Sequence, residues 1–307
     1  MLGGRISSLV VVSHPEKVMY PDSGVTKGEV AEYYHRAAEV MLPHLVDRPL
    51  TIQRFPQGID KQGFMQKHAG KGFPDFIERI ELAKQDGTVT YPVIRDEVGL
   101  AYLANQNTIT FHIPGFRASH LENPDRMVFD LDPSEGDLEG VRFSARATAE
   151  FLHTLQVPTW LMTSGSKGFH LVTPLQPTIS FDAMGRFAQA VATLLAQSHP
   201  DQMTVEFLKK ERKGRVFVDW MRNHFGPTAV CPYSLRPRPG APIAMPIDWS
   251  SLDNTMPDGF RLRQFELADD PWAEAEPIDL APAVATIEEL VAQAGVDLPE
   301  FDRFGRT

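Results

Sequence analysis

This sequence predicts an α+β fold, with mixed or antiparallel sheets and flanking helices, on three observations. From Arg126 to Trp220 the periodicity changes in the order strand, helix, strand, turn, strand, helix, strand. Polar residues gather at the ends of those strands, so one sheet face is expected to be apolar and helix-covered and the other to carry chemistry. The chain has 307 residues, 42% hydrophobic and 23% charged, enough to bury one large core or two modest ones.

The elements follow in order. Residues 13–20 lead into the turn cluster Pro21-Asp22-Ser23-Gly24. Thr26 and Glu29 then form a capping box for a helix with Val30, Tyr33, Ala37 and Met41 on its apolar face, and Pro43 and Pro49 bracket its exit. Residues 51–55 read as a short strand and 63–67 as a second segment beyond a turn. Ile80-Glu81-Leu82 and Val89-Thr90-Tyr91 make a hairpin closed by Asp86-Gly87. Lys84-Gln85-Asp86-Gly87 also matches the Lys-x-Asp-Gly of ATP-dependent DNA ligases, but the turn explains it and the other motifs of such an enzyme do not follow.

In residues 107–113, Ile109, Phe111 and Ile113 face one way, and Thr108, Thr110 and His112 the other. In residues 126–132, Met127, Phe129 and Leu131 take one face. Val128, Asp130 and Asp132 take the opposite face, and Pro133 ends the ladder. A helix over 138–155 follows, with Val141, Ala145, Thr148, Leu152 and Leu155 at helical spacing. Strands 159–163 and 169–173 are joined by a tight turn, and a second amphipathic helix over 181–196 buries Met184, Phe187, Val191 and Leu195. The strand 216–220 and a helix over 284–294 complete the pattern.

One cysteine, Cys231, excludes intramolecular disulfides and a multi-cysteine zinc module. The first twelve residues lack the pattern of a secretory leader and no apolar run is long enough to span a membrane, as expected of a soluble cytoplasmic protein. The net charge of −10 argues at first against nucleic acid, but its distribution reverses that. Between Asp248 and Thr307 lie 14 of the 40 acidic residues and 4 of the 30 basic ones, so the rest of the chain is balanced at 26 each. Within that balanced part, residues 205–240 carry Lys209, Lys210, Arg212, Lys213, Arg215, Arg222, Arg236 and Arg238 against Glu206, Glu211 and Asp219. Such a zone suits phosphates, or a solvated loop.

Three features carry the chemistry. Asp130 and Asp132 point the same way at the end of one strand, close enough to share a hard cation; a solvated turn begun by Asp132-Pro133 is the other reading. Asp219 ends Val216-Phe217-Val218-Asp219-Trp220 and is either a third carboxylate or a strand-end cap. Ser164-Gly165-Ser166-Lys167-Gly168-Phe169-His170 combines two glycines, hydroxyls, a lysine and a histidine, as a phosphate-gripping turn or as a plain hairpin turn. It is not a Walker loop, since the glycine spacing differs and no Lys-Ser/Thr pair follows. Together they form a triphosphate site with metals, as two-metal nucleotidyl transfer requires.

At these residues the chain resembles a known family. Phe129-Asp130-Leu131-Asp132-Pro133, Thr163 to His170 and Val218-Asp219-Trp220 look like the three motifs of the archaeo-eukaryotic primase superfamily. From about Glu16 to Arg236 the chain is similar to the polymerase domain of bacterial DNA ligase D. The resemblance implies a primase-like fold, with a catalytic body over residues 1–245 and an acidic tail over 246–307 packed on or trailing it. It implies that Asp130, Asp132 and Asp219 hold two divalent ions, Mn²⁺ or Mg²⁺. His112, Ser164, Lys167, His170 and Arg236 would meet the incoming nucleotide, with Arg54 on the same side, and Arg212 would help place primer and nucleotide. Lys17 and Lys27 would grip the 5′-phosphate of a downstream strand, and Phe64 would stack on a template base. The activity implied is primer extension and short-gap filling with NTPs or dNTPs at broken DNA ends, with Ku and a DNA ligase as partners, in the cytoplasm near the nucleoid.

Three positions depart from the pattern. Gln53 stands where a relative has a lysine, Met65 replaces a second aromatic beside Phe64, and Arg222 replaces a glutamine. The rival readings are a de novo primase, a DNA-end binding module without chemistry, and a metal-dependent phosphodiesterase.

Overall fold

The computed structural model describes residues 10–84, 87–134, 136–267 and 269–299. The elements in chain order are β1 (Val18–Tyr20), β2 (Val25–Thr26), α1 (Lys27–Arg36), α2 (Ala38–Leu45), β3 (Thr51–Arg54), β4 (Phe64–Gln66), β5 (Glu78–Lys84), β6 (Gly87–Val93), α3 (Glu97–Asn105), β7 (Thr108–Pro114) and β8 (Arg126–Asp132). They continue with α4 (Leu138–Thr154), β9 (Trp160–Thr163), β10 (Phe169–Pro174), α5 (Phe181–Ser198), β11 (Met203–Thr204), α6 (Lys209–Arg212), β12 (Val216–Asp219), β13 (Thr228–Val230), β14 (Pro246–Ile247) and α7 (Ala281–Ala294). The fold is α+β, as the periodicities predict.

Two sheets dominate. One has six strands in the order β11-β12-β8-β10-β9-β14, antiparallel except for the β11–β12 pair; the other has four antiparallel strands in the order β13-β7-β3-β4. The alternation along β8 sets which face is which. Met127, Phe129 and Leu131 enter a core shared with α4, α5 and α7, while Val128 joins a smaller cluster with Met162, Val172, Val230 and Trp272. Ile109, Phe111 and Ile113 of β7 pack into a second core with α1, α2 and α3. Each sheet is therefore covered on its outer face by its own helices, and the inner faces meet. The simpler expectation of one sheet with helices on one face is corrected here. Two half-polar sheets can each bury an apolar face only by taking separate helix layers.

The predicted capping box is present: Glu29 N–H donates to Thr26 Oγ1 at 3.3 Å, and Thr26 N–H to Glu29 Oε2 at 2.8 Å. The helix it starts is not continuous to Met41 but divides at Ala37 into α1 and α2, with Pro43 inside α2 rather than beyond its exit. Pro43 has no N–H to offer Glu39, yet α2 continues through it to Leu45, and the turn at Ala37, with φ −81 and ψ −5, is what separates the two helices. The predicted hairpin β5–β6 forms, with Leu82 opposite Val89, but Lys84 pairs with Gly87, so Gly87 belongs to β6 rather than to the turn; Gln85 and Asp86 lie outside the described residues. In the tail, α7 starts three residues earlier than the periodicity suggests, because Pro282 fits the first helical turn. Past residue 245 the chain supplies the edge strand β14, and Trp272, Leu280, Ala283 and Ile287 are buried.

Candidate active site

Strand register builds the centre. His170 on β10 and Asp219 on β12 are both Cα partners of Asp130 on β8, so the three side chains form a row across the sheet, with neighbouring Cβ atoms about 5 Å apart. Asp132 lies one pleat further along β8 on the same face. His170 Nε2 is 3.3 Å from Asp130 Oδ1. From the loop after β12, the Arg222 guanidinium reaches back between two carboxylates, Nη2 to Asp130 Oδ2 at 3.4 Å and Nε to Asp219 Oδ2 at 3.1 Å. The Nε contact is too poorly aligned to be a hydrogen bond.

The electrostatics are those of like charges crowded at low dielectric. Burial pushes the Asp130 carboxyl up, but His170, Arg222 and Arg236 together outweigh it and hold the group well below the ordinary carboxylate range. Asp219 is pushed up to about 6 by burial and by Asp130, against the pull of Arg222. Asp132 is also raised, by burial and by Asp130. Three such carboxylates, two of them reluctant to ionise beside the third, make an oxygen-only donor set that a divalent cation would relieve. Among the described residues no three His, Cys, Asp or Glu side chains close to the spacing of a metal site. Arg222 supplies the positive charge between Asp130 and Asp219 instead.

The facing wall comes from the other sheet. His112 on β7 is held far below the ordinary imidazole range, at about 3, by burial and then by Arg236, Arg222 and His170, so it is neutral and aimed into the same space. His112 Nδ1, His170 Nδ1 and Arg236 Nε are buried and make no hydrogen bond among the described residues. Buried polar groups normally find a partner, so this convergence suits a polar ligand. Bonds from β7 and β1 to the segment that follows β13 position Arg236. Thr110 Oγ1 donates to Leu235 O at 2.8 Å, Tyr20 OH to Arg236 O at 3.0 Å, and Phe111 N–H to Ser234 Oγ at 2.8 Å.

The turn over residues 164–168 organises itself through Ser164. Its buried Oγ accepts from the N–H groups of Ser166 at 3.2 Å and Gly168 at 3.1 Å, while Lys167 stays exposed. Ser166 Oγ accepts from Arg238 Nη1 at 2.9 Å. Gly165 has φ +62, and a Cβ there would meet Arg236 Cγ at 2.6 Å. At Gly168 a Cβ would run into the carbonyl oxygen of Leu131 on β8. Gly168→Ala is therefore expected to force β8 and β10 apart, lowering unfolding free energy by about 3 kcal/mol in urea denaturation. A loss under about 0.5 kcal/mol would show that the close approach is not needed.

The remaining sequence-derived residues fall into two further groups. Lys17, Lys27 and Arg54 lie together. Lys27 N–H donates to Lys17 O at 2.7 Å, Lys27 Nζ donates to Ser13 O and Oγ, each at 2.8 Å, and Lys17 Nζ donates to Pro56 O and to Asn107 Oδ1. The Arg54 guanidinium is 5.5 Å over the ring of Phe64, fixed by Gln66 Oε1 at 2.7 Å and Gln106 O at 2.7 Å. Burial, then Lys17 and Arg54, lowers Lys27 to about 8. Phe64 and Met65 are about half exposed on the edge strand β4, and Gln53 is the Cα partner of Met65. Arg212 is buried against the ring of Phe217 and bonded to its own loop.

Sequence reasoning missed Asn223. Its amide accepts from Val128 N–H and donates to Val128 O, both at 2.8 Å, so it continues the ladder beside β8 where β12 has ended and fixes the loop that carries Arg222. No local pattern marks such a residue. Arg222 was legible only as a departure, although its place three residues after Asp219 puts it within reach of that carboxylate.

Comparison with known proteins agrees with this architecture. The family described as LigD, primase-polymerase domain, matches residues 26–272. The multifunctional non-homologous end joining protein LigD of Mycobacterium bovis is 38% identical over 262 residues, which cover 82% of this chain and 34% of that protein. LigD of Pseudomonas aeruginosa is 33% identical over 273 residues, 86% of this chain and 32% of that protein. The chain thus spans about one third of the length of these relatives. Among solved structures, the polymerase domain from Mycobacterium tuberculosis ligase D in complex with DNA superimposes with a TM-score of 0.77 at 33% identity, covering 95% of this chain and all of that one. With the family model matching most of the chain, and identity and coverage in agreement, this chain belongs to the LigD primase-polymerase domain family of nucleotidyltransferases.

Proposed function

We propose that this protein is a template-directed nucleotidyltransferase that extends primers and fills short gaps at DNA double-strand-break ends, using NTPs or dNTPs. The observation that carries this reading is the row His170–Asp130–Asp219 with Asp132, beside buried polar atoms of His112 and Arg236 that make no hydrogen bond among the described residues. In this reading Asp130, Asp132 and Asp219 hold two divalent ions, Mn²⁺ or Mg²⁺, and their all-oxygen, like-charged character suits such ions. Ions bound there would acidify a 3′-hydroxyl and neutralise a departing pyrophosphate. The chain's own groups do the rest. His112 and Arg236 offer donors to the phosphates, Lys167 adds exposed charge at the turn, and His170 orients Asp130. Template-directed incorporation on a gapped duplex, comparing NTP with dNTP and Mn²⁺ with Mg²⁺, tests the assignment; absence of metal-dependent incorporation under every condition would overturn it.

Lys17 and Lys27, with Phe64 beside Arg54, are the proposed seat of a downstream 5′-phosphate and a template base, which places Ku and a DNA ligase among the expected partners at a broken end. Lys27 supplies a pH test. With its ammonium lowered to about 8, it is mostly charged at pH 7 and mostly neutral at pH 9. Burial has disfavoured the charge, so between pH 8 and 10.5 the unfolded chain binds more protons and stability rises with pH. Phosphate binding has the opposite sign and needs the cation. The affinity advantage of a 5′-phosphorylated over a 5′-hydroxyl gap is expected to shrink roughly tenfold from pH 7 to 9. Lys27→Arg should flatten that profile, since arginine stays charged. An identical profile in both proteins would remove Lys27 from the phosphate seat.

A further inference from the structure

Arg126, Val128, Asp130 and Asp132 alternate along one face of β8, so a cation opens the row that the two carboxylates end. Arg126 lies about 13 Å along the strand from Asp130. Between them Val128 packs with Met162, Val172, Ala229, Val230 and Trp272, an apolar layer that separates the two polar ends. Arg126 is only 6% exposed, and its Nε and Nη2 are buried without a hydrogen bond among the described residues. Its guanidinium carbon lies 5.8 Å from the centroid of the Trp272 ring. His44 meets the same ring edge-on at 5.8 Å and stacks on Tyr233 at 6.3 Å, and its Nε2 is likewise buried and unbonded.

The carboxylates nearby are already engaged. Asp125 accepts from Arg48 Nη1 and Nη2 at 2.7 Å each, and from Arg117 Nε at 2.9 Å. Asp47 is turned to Arg95 Nη1, at 2.7 Å, and to Ser119 N–H, at 3.3 Å. Arg126 is left as a buried guanidinium without an anionic partner among these groups, and a guanidinium keeps its proton at neutral pH. Cys231 does not answer the charge, because burial pushes its thiol up to about 12 and leaves it neutral at pH 7. Burial, then Arg126 and Arg48, hold the His44 imidazole well below its ordinary range, so the ring is neutral and can donate from Nε2. A cation at that depth is costly unless an anion accompanies it.

We propose that a small inorganic anion, of the size and charge of chloride, binds between the Nε–Nη2 edge of Arg126 and His44 Nε2. Arg126 supplies two parallel N–H donors and the charge, and His44 supplies one neutral donor. The rings of Trp272 and Tyr233 crowd the space, which suits one halide-sized ion rather than a phosphate ester. The placement has a consequence for the tail. Trp272 packs on Arg126 and His44 and donates from Nε1 to Leu161 O at 3.1 Å, while Asp270 accepts from Tyr233 OH at 2.9 Å. An anion on Arg126 therefore stabilises the surface against which Asp270 and Trp272 dock. The site is separate from the row of carboxylates, and the inference does not rest on the polymerase reading.

Crystals of the full chain soaked in sodium bromide and measured at the bromine absorption edge test the site directly. An anomalous peak is expected within about 3.5 Å of Arg126 Nε or Nη2 and of His44 Nε2. In solution, sodium chloride at roughly 0.2 M should raise the melting temperature at least about 2 °C above that in sodium gluconate of equal concentration. Gluconate carries the same charge and is too large to enter. H44F, which keeps the aromatic stack and removes the donor, should cut that difference by roughly half or more, and R126M should abolish it. A bromide peak without a chloride advantage would mean an adventitious ion only and would overturn the site. So would a water molecule at that position with no anomalous signal, or an undiminished chloride advantage in R126M. Where a variant does not fold, the wild-type peak and melting difference decide by themselves.

Discussion

Replacing Asp130 by asparagine is expected to lower nucleotide incorporation by at least roughly 10³-fold, equivalent to about 4 kcal/mol of lost transition-state stabilisation. Asp130 is the middle of the row, Cα partner to both His170 and Asp219 and contacted by Arg222. Asparagine keeps the size but removes the charge. A donor set of two carboxylates then has little hold on a divalent ion. Free Mn²⁺ measured by electron paramagnetic resonance should accordingly remain higher beside the variant than beside the wild type at equal concentrations. Losing Asp130 also relieves Asp219 and Asp132 of a like-charged neighbour, so their pKa values should fall, which a carboxyl titration followed by NMR would record. A folded Asp130→Asn protein retaining a tenth of wild-type incorporation would show that the row is not catalytic.

The second large effect is expected at the cationic pair near the N-terminus. Lys17→Ala should weaken binding to a gapped duplex with a 5′-phosphate by on the order of 10- to 100-fold, the worth of one charge-assisted contact to a dianion. Binding to the same duplex with a 5′-hydroxyl should change less than about threefold. The selectivity follows from placement. The Lys17 carbonyl accepts the Lys27 N–H at the start of α1, and the charge of Lys17 is felt at Lys27, so two cations lie near a helix N-terminus that already favours an anion. Burial and Lys17 lower the Lys27 ammonium to about 8 in the free protein, and a bound phosphate would raise it again. Equal losses on the two duplexes would assign Lys17 to general backbone contact instead.

How much of this was legible depended on the range of the interaction. The faces of β8 follow from a period of two, and the burial of Met127, Phe129 and Leu131 away from Asp130 and Asp132 needs no knowledge of the partners. The Thr26–Glu29 cap is a four-residue event and is present as read. The division of α1 from α2 was not legible, because it falls at Ala37 while Pro43, the visible breaker, lies inside α2. Arg212 shows the opposite case. Its basic neighbourhood was plain, yet only the folded loop shows its guanidinium over the ring of Phe217 and bonded to the carbonyls of Glu206 and Phe207.

The sequence by itself determined the α+β class, the strand ends, the three carboxylates and the glycine turn, since each rests on alternation or spacing within one segment. Tertiary structure alone decided that two sheets, not one, enclose the site, bringing His112 against His170 and Arg236. It also decided that Asn223 completes the ladder beside Val128 and that Arg222 stands between Asp130 and Asp219. Apart from Arg222 with Asp219, these contacts join distant residues, 92 positions apart for Arg222 and Asp130 and 95 for Asn223 and Val128, and no local periodicity encodes which inner face will meet which. That choice belongs to the packing of the two helix-covered sheets against each other.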